Sequence, residues 1–231
     1  MKVPTTTTSD SSLLFVTNKM CPFAQKAWIA LEAAKVPYQL KEVSLYGSGG
    51  KPDWFWKLNP KGTVPVLVVR NDEATSKNDD QIVLADSDLI LDEMGMVMES
   101  VSSATAATNQ LMVADDAETI SRINDFRSTL NEFLPIGKNA VLGGNKEQMW
   151  SKLRELDSKI EDNHGSYIIA SQAQPTVADC AGFPFLWRID QEFGTAEWNN
   201  NGCENIPLWL DYCKEQPAFE NSIQRSWWWW W

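Results

Sequence analysis

The sequence predicts a two-part fold, in which a small α/β domain precedes an all-helical domain, and three observations support this prediction. Short apolar runs of β-rich composition alternate with helical segments over the first part of the chain. The remainder shows helical periodicity without a convincing strand. With 231 residues, 43% of them hydrophobic, the chain is long enough for one large domain or two small ones.

The first part reads as β-α-β-α-β-β-α, an order that predicts a mixed sheet. The apolar run "LLFVT" at 13–17 predicts a buried strand. Pro22 suits a first helical position, and apolar residues then recur at spacings of three and four as far as Ala34. Further strands are predicted at "YQLKEVSL", "TVPVLVV" and "IVLA", and helices at "KPDWFWKLNPKG" and "DSDLILDEMGMVMES". Asp86 or Ser87 is the expected N-cap of the last helix.

The second part begins after the small, polar segment "VSSATAATNQ", which is typical of a linker. Helices are expected within 110–134, 146–163, 176–193 and 205–225, and "TVAD" at 176–179 has the form of a capping box. Asp179 is therefore interpreted as a structural residue. The predicted division is 1–98 for the α/β domain, 99–112 for the linker and 113–231 for the helical domain.

Composition excludes several classes of function. The net charge of −11 argues against nucleic acid and anionic membranes as partners. No apolar run has the length of a membrane-spanning helix. Four cysteines without C-x-x-C spacing and a single histidine argue against a disulfide framework and against a metal site. A reducing compartment is expected, which means the cytoplasm, with a plastid left open.

The stretch "KMCPFAQKAW" places Cys21 directly before the first predicted helix. Unpaired N–H groups and the helix dipole at such a position stabilise a thiolate, and cysteine pKa values of ~3.5–7.5 occur there. Lys19 and Lys26 could add positive potential. Ala24 occupies the place of the second thiol in a dithiol motif, so the implied chemistry is monothiol exchange. The alternative is that Cys21 is a small apolar residue that packs at a bend.

Three motifs in order, "CPFAQKAWIALEAAKVPY", "KPDWFWKLNPKGTVPVL" and "ADSD", resemble the cysteine-type glutathione transferases, especially the dehydroascorbate reductases and the omega and lambda classes. The resemblance spans roughly residues 13–98, and in the helical half it rests mainly on "TVAD". It implies a thioredoxin-like domain followed by the all-helical domain of that superfamily. The expected activity is a glutathione-dependent thiol transfer or reduction, with glutathione as co-substrate and no metal.

The resemblance also implies roles for individual residues. Cys21 would be the nucleophile that forms a mixed disulfide with glutathione, and Pro65 would be the family's cis-proline. The implied glutathione-binding residues are Pro22, Phe23, Lys51, Val64, Pro65, Asp86 and Ser87. The second substrate would be a small electrophile, a disulfide or dehydroascorbate, and the protein a monomer or homodimer. Met20 stands where dehydroascorbate reductases commonly carry an acidic residue, which leaves the second substrate open.

Several residues have a plainer interpretation. Lys51 can be a solvated charge, and Asp86 with Ser87 can be a simple helix cap. Phe185 and Trp187 can line a second-substrate pocket or belong to the core. The "WWWWW" end, at 227–231, fits a disordered tail, a membrane-interface contact or an aromatic plug. At the level of function, the alternative is a non-catalytic protein of the same fold that binds glutathione or a hydrophobic ligand.

Overall fold

The computed structural model describes residues 12–45, 50–70, 81–101, 116–160, 166–169 and 172–224. These residues belong to two compact units. The first unit contains the described residues up to Val101 together with Asn221–Gln224, and the second contains Asp116–Glu220. Most of the predicted linker at 99–112 lies outside the described residues, and the predicted domain boundaries stay a prediction.

The first unit has the predicted order of strands and helices. Its elements are β1 (Leu13–Thr17), α1 (Pro22–Ala34), β2 (Gln39–Glu42), α2 (Asp53–Leu58), β3 (Val66–Arg70), β4 (Gln81–Leu84), α3 (Ser87–Asp92) and α4 (Met94–Val101). The predicted final helix is divided into α3 and α4. The division falls at Glu93, whose ψ of 9° lies outside the α-helical range and ends α3.

The four strands form a mixed sheet in the order β2-β1-β3-β4. β1 pairs in parallel with β2 and antiparallel with β3, and β3 pairs antiparallel with β4. This arrangement confirms the predicted mixed sheet. One face of the sheet contributes Leu14, Val16, Val66 and Val68 to a cluster that also includes Phe55 of α2. Because β1 is a central strand and buried along its whole length, the segment that follows it starts from a rigid support.

The described residues of the second unit form helices and no strand. The helices are α5 (Ala117–Val141), α6 (Lys146–Asp157), α7 (Val177–Phe193), α8 (Ala196–Asn200), α9 (Asn205–Glu215) and α10 (Pro217–Glu220). The all-helical prediction for this part is confirmed, but two predicted ranges end elsewhere. α5 continues past residue 134 through Pro135, because buried Gly137 and Ala140 extend its apolar face. α6 ends at Asp157, before the predicted residue 163. Within 205–225, the extended backbone of Gln216 precedes Pro217 and separates α9 from α10.

The start of α7 is the predicted capping box. The Thr176 hydroxyl and the Asp179 carboxylate each satisfy main-chain N–H groups at this end of the helix. Asp179 is fully buried, and its carboxylate accepts hydrogen bonds from the main-chain N–H groups of Ile168 and Thr176, both at 2.8 Å. It also accepts a hydrogen bond of 2.9 Å from the indole N–H of Trp209. The structural interpretation of Asp179 is confirmed.

Candidate active site

A turn made by Asn18 presents Cys21 at the end of β1. The Asn18 side-chain amide donates to the Val43 carbonyl at 2.9 Å, and its Oδ1 accepts from the Met20 N–H at 3.0 Å. The Cys21 N–H donates to the Asn18 carbonyl at 3.0 Å, which closes the turn. Sequence reasoning missed Asn18. The available signal was the preference of asparagine for the first position of a turn.

Cys21 is the N-cap residue of α1, as the sequence predicts. Its backbone is extended (φ −78°, ψ 118°), and its carbonyl accepts the first helical hydrogen bond, from the Gln25 N–H at 3.0 Å. The side chain is partly exposed and packs against the cluster that contains Ala24 and Val64. It makes no capping hydrogen bond with α1.

The two lysines expected to add positive potential near Cys21 are both paired with carboxylates. The Lys19 ammonium lies 3.7 Å from Glu42, and both side chains are substantially exposed. The Lys26 ammonium is buried in α1 and lies 3.0 Å from Asp88 of α3. Each carboxylate therefore offsets part of the positive potential that its lysine would add near Cys21.

The other cysteines differ from Cys21 in burial. Cys180, Cys203 and Cys213 are all buried. Burial raises the pKa of Cys180 and of Cys213 well above the ordinary thiol value, and it raises the pKa of Cys203 to about 12. These three thiols therefore stay protonated at neutral pH, and protonated thiols are poor nucleophiles.

The segment before β3 is shaped by Asn59. This side chain is 2% exposed, donates to the Thr63 carbonyl at 2.8 Å and accepts from the Lys61 N–H at 3.1 Å. Gly62 has a φ of +66°, and a Cβ at this position would lie 2.3 Å from the Trp56 ring, so only glycine fits here. The Val64–Pro65 peptide bond that follows is cis, as predicted, and both residues are buried.

The segment after β4 places Asp86 and Ser87 at the start of α3. Asp86 is the N-cap, and its Oδ1 accepts from the N–H groups of Asp88 at 2.8 Å and Leu89 at 3.2 Å. The side chain is exposed, whereas Ser87 is 4% exposed. The capping prediction is confirmed for Asp86, and the ligand role of this pair stays a prediction.

Lys51 lies just before α2. Its ammonium is 5.8 Å from the centroid of the Trp56 ring, a distance at which the cation and the ring attract each other. Across the described ranges, no carboxylate lies within ion-pair distance of Lys51. Phe23 follows Pro22 in the first turn of α1 and is partly exposed.

Phe185 and Trp187 lie in α7 and are both buried, at 1% and 8% exposure. Trp187 stacks on Phe183 with ring centroids 6.5 Å apart, and the Arg188 guanidinium lies 5.2 Å from the Trp187 ring. These contacts belong to the interior of the second unit. A role of either aromatic side chain in binding the second substrate stays a prediction.

Residues 46–49 and 71–80, His164 and the tryptophans at 227–231 lie outside the described residues. Within the ranges that are described, no helix has the length and apolar character needed to cross a membrane. The same ranges contain no group of three or more side chains suited to a metal ion.

The chain is similar to known glutathione transferases in sequence and in structure. Residues 20–95 match the family model of the glutathione S-transferase N-terminal domain. The chain is 30% identical to the probable glutathione S-transferase DHAR4 of Arabidopsis thaliana over 176 residues, which is 75% of this chain and 70% of the relative.

Solved structures share the fold. The glutathione transferase Omega 1C of Trametes versicolor superposes with a TM-score of 0.68 at 20% identity, covering 93% of this chain and 92% of that one. A glutathione transferase family member from Pseudomonas fluorescens, solved with two glutathione bound, superposes with a TM-score of 0.68 at 15% identity, covering 92% of each chain. With the match of its N-terminal domain and a relative that aligns over most of both lengths, this chain belongs to the glutathione S-transferase family.

Proposed function

We propose that this protein is a glutathione-dependent thiol transferase or reductase in which Cys21 is the nucleophile. The observation that carries the proposal is the contrast among the cysteines. Cys21 is partly exposed at the start of a helix, beside the cluster that contains Val64, whereas Cys180, Cys203 and Cys213 are buried. Only a thiol that solvent can reach is able to exchange with a soluble disulfide.

The residues proposed for the site suit the parts of glutathione, a tripeptide with two carboxylates and one ammonium group. Lys51 offers a cation for the glycyl carboxylate. Asp86 uses only Oδ1 in its two capping hydrogen bonds, so Oδ2 can accept from the γ-glutamyl ammonium group. The main chain of Val64 precedes β3 and can pair with the cysteinyl part. Pro22 and Phe23 complete the proposed site beside the thiol.

In the proposed reaction, the Cys21 thiolate attacks the glutathione sulfur of a glutathionylated substrate. A disulfide between Cys21 and glutathione forms, the substrate disulfide breaks, and the substrate leaves as a thiolate that takes a proton from water. The thiolate of a second glutathione then attacks the mixed disulfide, which releases glutathione disulfide and restores the Cys21 thiolate. Because Ala24 supplies no second thiol, an external thiol must complete the cycle.

Dehydroascorbate is the second proposed substrate class. Its reduction to ascorbate takes two electrons and two protons, and two glutathione molecules supply both as they become glutathione disulfide. Phe185 and Trp187 remain candidates for contacts with the second substrate. The proposed oligomeric state is a monomer or a homodimer. The proposed location is the cytoplasm or a plastid.

A second candidate function is the non-catalytic binding of glutathione or a hydrophobic ligand. The observation that favours it is that Lys19 and Lys26 are both paired with carboxylates, Glu42 and Asp88. These pairs reduce the positive potential available to stabilise a Cys21 thiolate.

The test combines the reactivity of Cys21 with turnover. Alkylation of Cys21 by iodoacetamide is followed by mass spectrometry across pH, and glutathione-dependent reduction of hydroxyethyl disulfide and dehydroascorbate is measured in the same preparations. We expect an alkylation midpoint below the free-thiol value of ~8.5, turnover in the wild type, and none in Cys21→Ser. The matched control is Cys203→Ala, which removes a buried thiol and should retain turnover.

Two results would contradict the proposal. If Cys21→Ser turns over as fast as the wild type, Cys21 is not the nucleophile. If Cys21 titrates as a free thiol and neither substrate is reduced, while calorimetry still detects glutathione, the non-catalytic function replaces the proposed one.

A further inference from the structure

The ion pair between Lys26 and Asp88 links the two helices that begin at the proposed glutathione site. The Lys26 ammonium lies 3.0 Å from Oδ1 and 3.2 Å from Oδ2 of Asp88. The Lys26 side chain is only 1% exposed, while that of Asp88 is 37% exposed. Lys26 follows Cys21 on α1, and Asp88 comes directly after Ser87 on α3. The pair therefore joins the helix of the thiol to the first turn of α3.

Packing alone does not account for a lysine at this position. The removal of an ammonium group from water costs several kcal/mol, and an apolar pair of similar volume usually stabilises a fold as well or better. Apart from Gln25, the other buried residues of α1 are apolar, so a methionine could fill the place of Lys26. The ion pair fixes the Lys26 ammonium of α1 relative to the Asp88 carboxylate of α3, and a methionine cannot form such a directed contact.

Lys26 and Asp88 also contact residues of the proposed site, Lys26 through its side chain and Asp88 through its main-chain N–H. The Lys26 ammonium lies 5.6 Å from the centroid of the Phe23 ring, within the range of a cation–π attraction. Asp88 is held from its other side, because its N–H donates to the Asp86 carboxylate at 2.8 Å. Lys26 thus connects Phe23, in the first turn of α1, with the cap of α3.

We propose that Lys26 and Asp88 form a positioning pair, which holds Asp86 and Ser87 in register with Cys21 so that one glutathione molecule can contact both helix starts. The inference rests on the proposed function, because it assumes that glutathione binds at these residues. Neither Lys26 nor Asp88 is assigned a contact with the reacting sulfur. Their effect is expected on the binding of glutathione rather than on the chemical step.

The single variants Lys26→Met and Asp88→Asn test whether the pair affects the binding of glutathione and not the chemical step. Each should raise the KM for glutathione about tenfold, equal to about 1.4 kcal/mol, while kcat at saturating glutathione stays within a factor of about two. The matched control is Lys214→Met, which removes the ion-pair partner of buried Asp190, 3.2 Å away, in the second unit. It should lower the melting temperature and leave the KM for glutathione unchanged.

The double variant Lys26→Met/Asp88→Asn separates positioning from stability. It leaves no buried charge without a partner, so its melting temperature should recover relative to the single variants. The KM should remain raised, because the directed contact is still absent, whereas Lys26→Arg should keep the KM close to that of the wild type. If the KM recovers together with the melting temperature in the double variant, the pair is only structural and the proposal is overturned.

Amide hydrogen exchange provides a measurement that does not depend on glutathione. In Lys26→Met, the N–H groups of Leu89 and Ile90 in α3 should exchange faster than in the wild type, and in Lys214→Met they should not. Unchanged exchange in Lys26→Met would overturn the inference even if the protein uses glutathione. If the wild type neither binds glutathione in calorimetry nor turns it over, the proposed function fails, and the positioning role assigned to the pair is overturned with it.

Discussion

The starts of α1 and α7 use their first-turn N–H groups in opposite ways. At α7, Thr176 and the fully buried Asp179 satisfy main-chain donors with a capping box, and Asp179 also holds Trp209. At α1, Pro22 removes one donor, and the N-cap residue Cys21 makes no capping hydrogen bond through its side chain. Cys21 is partly exposed, so this helix start is open to solvent.

The difference separates a stabilising helix start from one that is available for chemistry. A buried cap with all its partners contributes to stability and has no capacity left for a ligand. An exposed N-cap cysteine contributes less to stability, but its sulfur can be reached. Cys21 therefore stabilises the start of α1 less than serine, threonine or aspartate would at the same N-cap position.

The largest expected effect is at α7. Asp179→Ala leaves the main-chain N–H groups of Ile168 and Thr176 and the Trp209 indole buried without their acceptor. At about 1–3 kcal/mol for each buried donor, the free energy of unfolding should fall by about 3 kcal/mol or more, measured by urea denaturation. The comparison is Asp116→Ala, which removes the exposed cap of α5 and should have a smaller effect. Equal losses in both variants would mean that burial does not distinguish the two caps.

An intermediate effect is expected from pH. Burial raises the pKa of Cys203 to about 12, so the folded protein holds this proton more tightly than the unfolded chain does. The contribution of the Cys203 thiol to the free energy of unfolding is at its full value below the unfolded thiol pKa of ~8.5. Above that pH, the contribution decreases by up to ~1.4 kcal/mol per pH unit. From about pH 8.5 to about pH 10, Cys203→Ala should show a shallower decline in unfolding free energy than the wild type. Parallel curves would show that Cys203 does not cause the decline.

The smallest expected effect is a gain at α1. Cys21→Asp places a carboxylate acceptor at the N-cap of α1 and should raise the free energy of unfolding by about 1 kcal/mol. The same variant should lose all reaction with iodoacetamide at this position and all glutathione-dependent turnover. Cys21→Ala, which offers no acceptor, is the control and should not be stabilised. If Cys21→Asp is no more stable than Cys21→Ala, then the start of α1 is not short of a cap.

The order of strands and helices could be predicted because it depends on local patterns. The apolar strand at 13–17, the helix that begins at Pro22 and the capping box of α7 each depend on residues that are close in the chain. The predicted end at residue 134 was wrong because burial of later residues of α5 carries the helix through Pro135, against the local preference of proline. Within 205–225 the local preference holds, since the extended backbone of Gln216 precedes Pro217 and interrupts the helix.

The candidate site was predictable in part. Cys21 as N-cap, the cis bond before Pro65 and Asp86 as a cap were all expected from motifs, and the structure has all three. The ion-pair partners of Lys19 and Lys26 could not be predicted, because Glu42 and Asp88 are distant in sequence and come close only when the sheet and helices assemble.

The sequence by itself determined the class of fold, the helix start that carries Cys21 and the absence of a second thiol at position 24. These features follow from residue type and short spacing, which backbone sterics translate directly into local structure. Only the tertiary structure decided which thiols are buried, which lysines are neutralised and that Asn221–Gln224 belong to the first unit. Burial and charge pairing depend on contacts between distant parts of the chain, and a local pattern contains no information on such contacts.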